Sequence, residues 1–198
     1  MNLKFIYLCI LVLFVFAYAA IGQQTNKTSN ELDAVCENIG NSYSCAQAIE
    51  HYQFRKPEYS KFVSRVGQQL KLNLIDGKSF ILKDSPKVAE DSGENFSFRE
   101  YLRDIGCFLI HVQYYDDTAY LMINDKTGEK FKIAEPPIFS PDKQRFVSVF
   151  GSLVDEVGIF QIWRIVGNRI ISEFEIAKDE AGNGLIEDAE WVNNQKLS

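Results

Sequence analysis

Hydrophobic and polar positions divide the chain into three stretches of different character. Residues 1–22, MNLKFIYLCILVLFVFAYAAIG, are apolar from Phe5 to Phe16 after one lysine, Lys4, and end in the small residues Ala17, Ala19, Ala20 and Gly22. A short positive region, an apolar run and an A-x-A-like site describe a secretory signal peptide, cleaved after Ala19 or Gly22. The competing reading is a membrane anchor, but the run reaches only the lower length limit for spanning and no lysine or arginine cluster follows it. Residues 23–34, QQTNKTSNELDA, are polar with few apolar anchors and read as a disordered leader. The third stretch, residues 35–198, reads as a single β-rich domain.

Within it, Ser44 to Tyr52 holds good helix formers behind a serine placed as an N-cap, which predicts one short helix. His51 falls at its end and suits a surface or capping role. From Leu70 the pattern changes to period two. Leu70, Leu72 and Leu74 alternate with polar residues, and Asp76-Gly77 marks a hairpin turn into Lys78–Leu82. Further strands are expected over Ser97–Leu102, Cys107–Tyr115, Thr118–Ile123, Glu129–Ile133 and Arg145–Phe150. Val157–Val166 and Arg169–Ile176 form a hairpin across Gly167-Asn168, and Ile186–Val192 is a final short strand. The fold class is therefore all-β and antiparallel with one short N-terminal helix. In the strand 157–166, Phe160 and Ile162 share one face, while Gln161, Trp163 and Ile165 share the other. Apolar groups on both faces predict a strand covered on both sides.

The strands also repeat weakly. Phe108-Leu109-Ile110-His111-Val112 pairs with Phe146-Val147-Ser148-Val149-Phe150 at an offset of 38, and Ala119–Ile123 pairs with Ile159–Trp163 at an offset of 40. A period near 40 is the size of a propeller blade. The segment Pro137-Ile138-Phe139-Ser140-Pro141-Asp142-Lys143-Gln144-Arg145-Phe146-Val147-Ser148, with Phe160-Gln161-Ile162-Trp163-Arg164-Ile165 after it, resembles the repeat of Tol-system and related tryptophan-aspartate propellers. The clear match covers residues 137–166. Lys143 stands where that family usually has glycine. The resemblance implies blade-like sheets, of which about three fit after Leu70, whereas closed propellers have four to eight. Propeller-blade-like repeats and a compact sandwich both satisfy the pattern.

Charge and cysteine content narrow the function. The chain carries 21 basic and 27 acidic residues, a formal net of −6. Losing residues 1–22 would remove Lys4 alone, leaving 20 basic against 27 acidic residues and a net of −7. Nucleic acid and, once the signal is cleaved, anionic membranes are not expected partners. Cys36 and Cys45, in CENIGNSYSC, are spaced for a disulfide that would persist after export to the periplasm or the extracellular space. Cys107 sits in an apolar run as a small buried hydrophobe.

No G-x-S-x-G, H-E-x-x-H or phosphate-loop motif occurs in the sequence, and neither His51 nor His111 has a recognisable nucleophile partner. No catalytic residue and no cofactor is assigned. Residues 179–190 partly match a calcium loop through Asp179, Asn183, Glu187 and Glu190. Ala181 breaks it where an oxygen ligand is required, so an ordinary acidic turn is the better reading. Tyr114, Tyr115, Asp116, Asp117 and Tyr120 form an aromatic-acidic turn that would make a contact patch if exposed together. The sequence thus predicts an exported, non-catalytic β-rich protein that binds a macromolecular partner, as an envelope accessory or an inhibitor- or immunity-like protein. The alternative is a secreted hydrolase using dispersed carboxylates.

Overall fold

A computed structural model of the chain describes residues 31–85, 93–114, 117–152, 157–177 and 188–198. The expected signal peptide and the first part of the expected leader lie outside these residues. The chain divides into two compact units, 1–49 and 50–198.

In the first unit, residues 31–36 are helical and Leu32 is buried, so regular structure begins within the stretch whose polar composition suggested a disordered leader. The Cys36–Cys45 disulfide is present, with its Cα atoms 5.1 Å apart. Helix α1 (Ser42–Phe54) begins in this unit. Its cap is Asn41 rather than Ser44. The Asn41 side-chain oxygen accepts the Ser44 N–H at 2.8 Å, and an asparagine there satisfies an N–H that the helix itself leaves unpaired.

The second unit is all antiparallel β after the end of α1. The first sheet orders β1 (Val63–Val66), β2 (Gln69–Asn73) and β3 (Ser79–Lys83). The second orders β4 (Asn95–Leu102), β5 (Cys107–Gln113), β6 (Thr118–Asn124) and β7 (Lys130–Ile133). In the third, β8 (Ile138–Phe139), β9 (Arg145–Ser152), β10 (Val157–Val166) and β11 (Arg169–Ala177) follow one another as a meander. A closing hairpin pairs β12 (Trp191–Asn193) with β13 (Lys196–Leu197). β1 and β13 lack a usable alternation because each is short, and the sequence reading did not anticipate them.

Alternation along the strands makes these sheets a layered sandwich. β5 is buried on both faces. Phe108, Ile110 and Val112 join Leu70, Leu72 and Leu82 of the first sheet in one core. Cys107 and Leu109 join Phe146 and Ile170 of the third sheet in another. Beyond that, Val147 and Val149 turn to the outer face of the third sheet, where Ala189, Trp191 and Leu197 cover them. Each fully buried large apolar side chain contributes roughly 1.5–3 kcal/mol through area removed from water. The segments matched at offsets of 38 and 40 occupy the second and third strands of the two four-stranded sheets. Among the described residues the strands do not close into a barrel or a propeller.

Within the second unit, a charged staple joins Glu50 to the strands that follow it. Arg65 on β1 donates through Nε to Glu50 Oε1 at 2.5 Å, through Nη1 to Asp84 Oδ2 at 2.9 Å and through Nη2 to the Phe96 carbonyl. Glu50 Oε2 also accepts the Phe98 N–H at 2.7 Å, and Asp84 Oδ1 accepts the Phe96 N–H at 2.9 Å. Hydrogen bonds on both sides of each charge offset the cost of burying it.

Candidate interaction surface

Among the described residues of the aromatic-acidic turn, Tyr114 and Tyr120 do not share a face. Tyr114 packs on the core between the first and second sheets, with Lys132 Nζ 4.9 Å from its ring centroid. Tyr120 is buried in the core between the second and third sheets. The two rings therefore belong to opposite faces of the same sheet, as alternation along neighbouring strands requires. Asp117 builds the turn itself: its carbonyl accepts the Tyr114 N–H at 2.8 Å and its carboxylate accepts the Thr118 N–H at 2.7 Å. Tyr115 and Asp116 lie outside the described residues. So do Asp179, Asn183 and Glu187 of the calcium-loop alternative, while the backbone of Glu190 is paired with Ser198.

A polar seam lies beside Tyr120. Arg99 is the extra residue of a bulge in β4, where Phe98 pairs with Ile110 and Glu100 with Leu109. A bulge re-aims a side chain, and the Arg99 guanidinium lies 5.8 Å from the Tyr120 ring centroid. His111 meets the same ring edge to face at 5.3 Å, and among the described residues its buried Nδ1 has no hydrogen-bond partner. Burial first, and the Arg99 charge second, push the His111 pKa down to about 4. Burial also pushes the Tyr120 hydroxyl up to about 12 and raises the carboxyl of Glu135, which Arg99 opposes. The imidazole is thus neutral at ordinary pH and a weak base. The seam is missed by sequence reading because a bulge leaves no mark in the hydrophobic pattern.

The outer face of the third sheet is different in kind. Register places Phe160, Ile162, Arg164 and Val166 of β10 on this face, opposite Ile176, Phe174, Ile171 and Arg169 of β11. The hairpin β12–β13 covers the β9 side, where the Trp191 Nε1 donates to the Ile138 carbonyl at 2.9 Å and both Trp191 and Phe160 pack against the Val147–Val149–Ala189 core. The β11 side stays open: Val166 is 50%, Ile171 41% and Phe174 48% exposed. Phe174 meets Phe160 edge to face at 6.2 Å, so the open region continues the covered core. Across its middle, Glu173 receives both Arg145 Nε (2.7 Å) and Arg164 Nε (2.8 Å). These pairs hold the Glu173 carboxyl below its usual range, the hydrogen bond from Arg145 being the main cause. Glu173 is itself the extra residue of a bulge, between Ser172 and Phe174. The facing expected for β10 is found, with Trp163 and Ile165 packed inward on the second-to-third sheet core and Phe160 on the outer one, but the outer face is covered only in part. A contiguous apolar region with a charged rim on a sheet face is the physical pattern of a protein-binding surface.

Compared with the models of protein families, with curated proteins and with solved structures, the chain matches none.

Proposed function

We propose that the chain is an exported, non-catalytic β-rich protein that binds a macromolecular partner through the outer face of its third sheet. The observation that carries this reading is the half-covered apolar face, where Val166, Ile171 and Phe174 stay exposed beside a core that the terminal hairpin only partly caps. Leaving that area in water has a cost that a partner would remove. Export is supported by the signal-peptide pattern of residues 1–22 and by the Cys36–Cys45 disulfide, a bond that persists in oxidising compartments. Among the described residues no helix is long and apolar enough to cross a membrane. The two four-stranded meanders are read as blade-like units, in keeping with the resemblance carried by residues 137–166.

The test is affinity capture with the tagged mature chain from its native envelope or medium, together with N-terminal sequencing of the exported form. A stoichiometric partner and a start near Ala20 or Gln23 are expected. Recovery of the chain alone, or of a form beginning at Met1 outside the cytoplasm, would overturn the reading.

A further inference from the structure

Among the described residues, the open face carries more arginine than carboxylate, against the negative balance of the whole chain. The chain has a net charge of −6. On this face, however, Arg145, Arg164 and Arg169 stand against Glu173. Arg145 and Arg164 share that one carboxylate. Arg169 is exposed at the start of β11, and among the described residues no carboxylate lies within ion-pair distance of it. A cationic rim around an apolar centre selects by charge as well as by area.

We infer that the partner presents to this face an apolar centre flanked by carboxylates, as an acidic protein surface or strand does; this rests on the binding reading above. A second copy of the chain fits poorly, because a two-fold contact through this face would set the same arginines against each other. Polyanions such as nucleic acid lack the apolar centre that Val166, Ile171 and Phe174 would cover.

The face can be tested with the full mature chain and short dye-labelled strand peptides, one alternating glutamate with phenylalanine and one alternating lysine with phenylalanine. Fluorescence anisotropy should show the acidic peptide binding at least roughly tenfold more tightly than the basic one, with the preference shrinking as salt rises. Phe174→Ser and Arg164→Gln should each weaken it several-fold, with far-UV circular dichroism unchanged; both side chains are about half exposed, so neither change removes a core residue. Equal binding of the two peptides, indifference to both substitutions, or concentration-dependent dimerisation abolished by Phe174→Ser would overturn the inference. A natural partner still captured by both variants would sink this inference and the surface named above, and leave only the reading that the chain binds a partner. Selective peptide binding without any captured partner would do the reverse.

Discussion

His111 and Tyr120 stand directly opposite each other on β5 and β6, and their rings meet edge to face with centroids 5.3 Å apart. The arrangement leaves the imidazole buried, beside the positive Arg99, with its pKa pushed down from 6.5 to about 4. The unfolded chain therefore takes up a proton in that window that the folded chain refuses. His111 contributes full stability above pH 6.5, loses it as pH falls toward 4, and changes little below that. The whole difference is roughly 3 kcal/mol. Replacing His111 with phenylalanine should flatten the dependence. Urea midpoints of the parent and the variant at about pH 4 and about pH 7 are the check; parallel pH profiles would rule out His111 as the source.

Arg65 is held by Glu50, Asp84 and the Phe96 carbonyl. Arg65→Ala would strand Glu50, whose side chain is 9% exposed, so about 3–5 kcal/mol of stability should be lost. Arg145→Ala, which breaks a more exposed pair, should cost about 1 kcal/mol or less. Denaturant unfolding ranks the two; an equal or reversed order would refute the staple.

Lys143 has φ 54°, a left-handed conformation that favours glycine. Only glycine adopts this without strain of about 1 kcal/mol. Lys143→Gly should therefore raise the melting temperature slightly, despite losing the ion pair to Asp104, and Lys143→Val should lower it. Calorimetry of both variants decides the point, and a destabilising glycine would show that the ion pair outweighs the backbone term.

Phe146 is fully buried and stacks on Trp163 with ring centroids 6.1 Å apart, whereas Phe160 is half-buried on the outer face. Phe146→Ala should cost about 3–5 kcal/mol and Phe160→Ala distinctly less. Equilibrium melts in urea would contradict this layering if Phe160→Ala proved the more damaging of the two.

Period-two alternation was enough to place β2, and apolar runs bounded by turn residues placed β3 to β7 and β9 to β11. The Asp76-Gly77 and Gly167-Asn168 turns were equally legible, since both glycines take positive φ. Short strands such as β1 and β13 were not, being held by pairing with neighbours rather than by their own pattern. The separation of Tyr114 from Tyr120 was hidden for a related reason. Composition suggests a patch, but which face each ring joins depends on the register of β5 and β6 and on what lies behind each face. The open region of the third sheet was also hidden, because an apolar residue in a strand reads the same whether or not anything covers it. Arg99 escaped notice because its direction comes from a bulge.

The double burial of β5 has a consequence for how the molecule comes apart. Cys107 and Leu109 serve one core and Phe108, Ile110 and Val112 the other, so neither core survives withdrawal of this strand. The second unit should melt as one cooperative block rather than sheet by sheet. Its β5 amides would exchange with solvent only through global opening, and a fragment cut between the second and third sheets would leave a bare wall that has no independent fold to return to.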